Sequence, residues 1–232
     1  MSVEQGTLAP EFMQRRHNYY VAGMQHAAGV GLENLVSVDF GSPALADADA
    51  ILNDQSIATA GSTTTLLDDE ADAPYGRTIT AVASGTATST ITIAGRDYLG
   101  QPVKKTKALT SGTPIEILTA FKWVDEISWE ATSAITIDVG WGGKLGLPYR
   151  TTKVLQEMFD NAPQSIGTVT AAVYTDPATA ATGDPRGLYT PTGTLNGAKR
   201  LVGTFLVDPS VTVNSTTGIL EGGLHGIKQY FA

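Results

Sequence analysis

"SAITIDVGWGGKLGLPYR", residues 133–150, sets the fold class. Ile135, Ile137, Val139 and Trp141 fall on one side of an extended chain, and Thr136 and Asp138 fall on the other. A period of two is the signature of a half-buried β-strand. The stretch then runs into "GWGGKLGLP" (140–148), whose glycines and closing proline read as a turn.

Working outward, the alternation recurs. Ile79 stands between Thr78 and Thr80, and Ile91 and Ile93 alternate with Thr90 and Thr92. Threonine at the outer positions suits a pleated surface. "AFKWVDEISWEA" (120–131) reads as a strand between strand neighbours, and "SIGTVTAAVYTD" (165–176) places Val169, Ala171 and Val173 on one face. "AKRLVGTFLVD" (198–208) is apolar on both faces, as a central strand is, and "SVTVNSTTG" (210–218) adds a shorter one. Turn signals at "RDYLGQP" (96–102) and "TSGTP" (110–114) separate them. Strands at this spacing predict an all-β chain, an antiparallel β-sandwich or jelly roll over residues 76–232. Neither 76–150 nor 151–232 reads as able to close a core alone, so one body is expected.

Residues 1–75 have weaker periodicity. They predict an extended N-terminal arm with one short helix near 44–58, where Leu45, Ala48, Ile51 and Leu52 fall at helical spacing. Such a segment offers little apolar area against its ordering entropy. No Lys or Arg occurs from His17 to Gly76, while Glu33, Asp39, Asp47, Asp49, Asp54, Asp68, Asp69, Glu70 and Asp72 do. This is either a solvated acidic region or an arm that meets a basic partner surface. Arg15, Arg16, Tyr19 and Tyr20, at the arm's aromatic and basic start, are the candidate partner contacts.

Composition narrows the function. Charged residues make up 16% of the 232-residue chain, below the roughly 25% of an average globular protein, as suits a surface packed against partners. The net charge of −8 argues against a nucleic-acid partner, which needs a basic face to neutralise phosphates. No apolar run approaches the roughly 20 residues of a membrane-spanning helix. With no cysteine, disulfides, thiolate metal sites and cysteine nucleophiles are excluded together.

The sequence carries no recognisable catalytic, cofactor-binding or metal-binding set. None of His17, His26 and His225 sits at the i, i+4 spacing of a helical metal pair, "ASGTA" (83–87) lacks the first glycine of a nucleophile elbow, and no phosphate loop is present. Asp68, Asp69, Glu70 and Asp72 lack the glycine-punctuated spacing of a calcium loop. Trp123, Trp129 and Trp141 suit sheet packing, with sugar stacking as the alternative. In "GDPRGLY" (183–189), Asp184 and Arg186 could be an active-site pair, but no nucleophile or base accompanies them. They read as a surface loop tied by an ion pair.

Residues 91–150 resemble a pattern of tailed-bacteriophage structural proteins: a strand ending in a "TG-D-x-x-G-x-P" turn, an "AF-x-x-V-x-x-I" strand, then a turn of the type "V-G-x-x-x-x-L-G-L-P-Y". The matching positions are Gly95, Asp97, Gly100, Gln101 and Pro102, then Ala120, Phe121, Val124 and Ile127, then Val139, Gly140, Leu145, Gly146, Leu147, Pro148 and Tyr149. "TGDPRGLYTPTGTLNGAKRL" and "GLHGIKQYF" are similar to later segments of the same group, so the likeness runs from about residue 47 to the end. Lys104 and Lys105 depart from it, standing where relatives carry an acidic residue. The resemblance implies a capsid decoration, or cement, protein: a virion component on the outside of the phage head, trimeric, bound to the major capsid protein and without cofactor or enzymatic activity. A tail, head-fibre or adsorption protein that binds a cell-surface glycan is the alternative, and a glycan hydrolase is a distant third.

Overall fold

The computed structural model describes residues 34–57, 61–70, 73–84, 89–110, 112–131, 135–173, 183–208, 211–213 and 220–226. Among them every regular element is a strand. These are β1 (Asn34–Asp39), β2 (Asp47–Ile57), β3 (Gly61–Glu70), β4 (Arg77–Ala83), β5 (Ser89–Arg96), β6 (Pro102–Leu109), β7 (Ile115–Phe121) and β8 (Trp123–Ala131). There follow β9 (Ile135–Gly146), β10 (Thr151–Phe159), β11 (Ala162–Pro163), β12 (Thr168–Thr170), β13 (Leu188–Thr190), β14 (Leu201–Val207), β15 (Val211–Val213) and β16 (Leu220–Gly222).

All pairings are antiparallel. One sheet runs β1-β14-β10-β11, a second β3-β8-β5-β6, and a third β12-β13-β9-β4-β7, with β2 also paired to β9. β15 and β16 pair with each other. Bulges interrupt β9 against β2 and against β4, and β10 against β14. Bulges bend a sheet and raise its twist, and one of the sheets curls into a half-barrel.

The opening stretch is the spine. β9 is 12 residues long, so it spans about 40 Å. One edge pairs with β4; the other pairs first with β2 and then, at Leu145 and Gly146, with β13. Ile137, Val139 and Trp141 enter one core with Ile79 and Ala81 of β4, Ile91 and Ile93 of β5, and Ile127 and Trp129 of β8. Leu145, further along, enters a second core with Val36 and Val38 of β1, Val154 of β10, Tyr189 of β13, and Leu201, Phe205 and Val207 of β14. Phe40 stacks on Tyr189 with ring centroids 5.7 Å apart, and Phe205 meets Tyr189 edge-on at 5.0 Å. Each buried aliphatic or aromatic side chain stabilises the fold by about 1.5–3 kcal/mol.

Four expectations change. The "GWGGKLGLP" stretch is no turn up to Gly146, because β9 continues through it. Three of its four glycines, Gly140, Gly142 and Gly146, serve close approach instead. A Cβ on Gly140 would stand 1.9 Å from the Asp47 carbonyl oxygen, and one on Gly146 would stand 2.2 Å from that of Tyr75. The helix expected at 44–58 is strand β2: Leu52 alone of its apolar set is buried, Leu45 is exposed, and Asp54 has φ 47°. The arm does not stay apart from the body up to residue 75, since β1, β2 and β3 pair with β14, β9 and β8. The first half also has more core than its sequence suggests, because every buried member of the first cluster lies between Leu52 and Trp141.

Since β9 serves both cores, they should melt together. Ile93→Ala and Phe205→Ala should each cost about 2–5 kcal/mol, and urea unfolding followed by tryptophan fluorescence and by circular dichroism should give one coincident transition for each variant.

Candidate functional site: a buried Asp–Arg–Asp junction

A buried polar cluster joins the turn after β5, the end of β7 and the 183–187 loop. Asp97 follows β5 and opens a tight turn. Its Oδ1 accepts hydrogen bonds from the Leu99 and Gln101 amides, both at 2.9 Å, which leaves Oδ2 free to point elsewhere. That oxygen accepts from Arg186 Nη1 at 2.9 Å, with both side chains at most 2% exposed. Asp184 uses both its oxygens on backbone: Oδ1 accepts from the Arg186 amide at 2.9 Å and Oδ2 from the Ala120 amide of β7 at 3.0 Å. Arg186 Nε lies 3.8 Å from Asp184 Oδ1 and makes no hydrogen bond. The guanidinium also stacks on the Tyr98 ring, 4.9 Å from its centroid.

The junction reaches further through backbone. Thr119 Oγ1 donates to the Gly183 carbonyl, the Val173 amide to the Asp184 carbonyl, and the Thr151 amide of β10 to the Arg186 carbonyl. Tyr98 donates its hydroxyl proton to the Pro148 carbonyl, and burial pushes that hydroxyl's pKa well up, so it stays a donor. His225 is exposed, with Nδ1 3.2 Å from the Tyr98 oxygen and its ring against Tyr149. The neighbouring Leu224 carbonyl accepts from the Arg150 amide at 2.8 Å. Arg150 is buried as well, with Nη2 2.9 Å from Asp208 Oδ2.

Electrostatics make the arrangement all-or-none. Burial is the largest influence on Asp184 and pushes its carboxyl pKa up, while the Arg186 charge and the two backbone donors pull it down. A third buried carboxylate, Glu157 of β10, is held by the Tyr189 hydroxyl and the amides of Thr192 and Gly193. Burial first, and Glu157 second, push the Tyr189 hydroxyl up. Chemically, these carboxylates are occupied acceptors and Arg186 is a cross-brace that holds chain segments together.

Asp184, Arg186 and Tyr189 are therefore buried rather than set on a surface loop. The ion pair first read within 183–187 is closer to Asp97, a partner 89 residues away. Arg15, Arg16, Tyr19 and Tyr20 lie outside the described residues, as do His17 and His26. The side chains of Asp68, Asp69, Glu70 and Asp72 are likewise outside them. Trp129 and Trp141 are core residues, and Trp123 is half-buried with Arg96 and Lys122 within 5.7 Å of its ring. Lys104 is exposed but Lys105 is buried on β6. Among the described residues no cluster of His, Asp or Glu has the makings of a metal site, and no helix is long and apolar enough to cross a membrane.

Sequence reasoning missed Arg77 and Glu157. Arg77 is fully buried, donating to the carbonyls of Gly142 and Ala44. No local motif marks either residue. The isolated Arg at the head of an apolar strand was the available signal for the first.

Comparison of the chain with known protein families, with curated proteins and with solved structures gives no match.

Replacing Arg186 with Leu should strand two buried carboxylates and cost about 3–5 kcal/mol. The sign with pH follows from Asp184. A carboxyl raised in the folded state stabilises the fold below its ordinary range, and loses that contribution as pH rises through the folded value. Without Arg186 the value rises further, so the deficit of the Leu variant in urea titrations should be largest near neutrality and should shrink toward about pH 4.

Proposed function

We propose that this chain is a virion structural protein of a tailed bacteriophage: a decoration, or cement, protein that binds the major capsid protein on the outside of the head and stabilises the shell. On this reading the sheets form a β-sandwich or jelly-roll body, and three copies make a homotrimer. One observation carries the proposal. The short motifs behind the resemblance are far apart in sequence, yet Asp97, Tyr98, Gln101, Pro148 and the Asp184–Arg186 loop belong to one junction, joined by hydrogen bonds and by the Arg186 guanidinium over the Tyr98 ring. Motifs that co-occur because they build one physical unit are a stronger signature than the same number of unconnected words.

The low charged content, 16%, supports a chain that works by packing against neighbours. Repeated by shell symmetry, many modest contacts sum to a large stabilisation without catalytic chemistry. Arg15, Arg16, Tyr19 and Tyr20 are the proposed capsid contacts. The glycan-binding alternative draws on exposed aromatics; of the three tryptophans Trp129 and Trp141 are buried and Trp123 is half-buried.

Antibody to this chain, imaged on purified virions by negative-stain electron microscopy, should label the head. Label confined to the tail would overturn the assignment. If attachment rests on apolar burial and strand contacts, decorated heads should keep the protein at about 1 M salt, where the Debye length is about 3 Å, and should release it in a few molar urea. Release by salt alone would point instead to an electrostatic anchor.

A further inference from the structure

The β3-β8-β5-β6 sheet turns one face inward, where Ile91 and Ile93 of β5 and Ile127 of β8 enter the first core. The period of two sends their neighbours outward, and the register sets these in rows across β6, β5 and β8. One row is Lys104, Ala94 and Glu126; the next is Thr106, Thr92 and Ser128. Lys104 and Thr106 are exposed and the other four are half-buried.

The polar groups of this face are largely matched already. The Thr92 and Thr106 hydroxyls share a hydrogen bond at 2.8 Å, and a hydroxyl with a partner costs less to take out of water. Arg96, further along β5, gives Asp125 two hydrogen bonds, at 2.8 and 3.1 Å. One cation and one anion remain. Lys104 on β6 and Glu126 on β8 flank Ala94, each one strand spacing of about 4.8 Å to its side. Among the described residues neither makes an ion pair.

We infer that this face is an interface between two copies of the chain, stacked face to face about a two-fold axis that runs along β5. Such an axis exchanges β6 with β8 and keeps each row opposite itself. Lys104 then faces Glu126 of the second copy while Glu126 faces its Lys104, so both charges gain partners at once, in the reciprocal manner of an isologous contact. Thr106 faces Ser128, and Thr92 and Ala94 meet their own counterparts, small side chains that let the sheets come close. The charges choose the occupant. A strongly basic or acidic partner would meet one like charge for each opposite one, whereas a second copy meets two opposite charges. The strands are eight to ten residues long, so the sheet measures about 19 by 27 Å. That is under the roughly 800 Å² per partner of a standard interface, and a contact this small depends on its two charge pairs. The inference is independent of the capsid assignment, and a two-fold contact adds to a trimer contact without replacing it.

Charge reversal tests the arrangement. Static light scattering of the full-length chain in low salt, at concentrations up to about 1 mM, should reach the mass of an even number of 24.3 kDa chains. Lys104→Glu and Glu126→Lys should each weaken the contact at least tenfold and halve that mass, because like charges then face each other twice. An equimolar mixture of the two variants should restore it, since every charge again meets its opposite. A parent monomer, an odd number of chains, or single variants that keep the parent mass would overturn the second copy as the occupant of this face. Halved masses that mixing does not restore would overturn the two-fold arrangement.

Discussion

A guanidinium buried between two carboxylates is the constraint around which this protein is arranged. Arg186 cannot give up its proton in a protein, and neither Asp97 nor Asp184 sits in water. Charges taken from water are tolerable only when geometry and hydrogen bonding are nearly complete. The two aspartates meet that condition by accepting backbone amides at Leu99, Gln101, Arg186 and Ala120. The turn after β5, the end of β7 and the 183–187 loop are therefore placed together or not at all. Through the Arg186 carbonyl the start of β10 is placed with them. This explains why the 147–150 and 183–187 segments, which look like loops in isolation, are buried.

Such a brace suits a protein whose work is to keep its shape under load. The first core holds two sheets together and the second organises the sheet that β1 edges. β9 runs through both, and the junction ties the segments that leave them. Local opening then requires breaking buried charge pairs as well as hydrophobic contacts, which raises the free energy of partial unfolding. The capsid-decoration proposal asks for this kind of rigidity.

The strands were legible where one face is buried and the other is not. Ile79, Ile91, Ile93, Ile137 and Val139 are all inward, as their alternation with threonine indicates. β14 was recognisable as central because it is apolar on both faces, and it does lie between β1 and β10. β2 was not legible. Its register against β9 slips twice, between Asp47 and Leu52 and again before Gln55, and the slips erase the period of two. What remains of the apolar spacing in 44–58 imitates a helix. The glycines of "GWGGKLGLP" misled for a related reason, because glycine marks both turns and places where another backbone comes close. The ion pair of Arg186 was half legible. A partner two residues away could be guessed from "GDPRG", but Asp97 could not, since nothing local records a contact across 89 residues.

The central claim is that Asp97 and Arg186 act as one unit on which separate segments depend, and a double-mutant cycle measures this directly. Asp97→Asn, Arg186→Gln and the double variant would be unfolded in urea beside the parent protein. The account predicts a coupling energy of about 2 kcal/mol or more, because either single change already loses what the pair supplies. Free-energy changes that add to within about 0.5 kcal/mol would mean that the two residues act independently, and would contradict it.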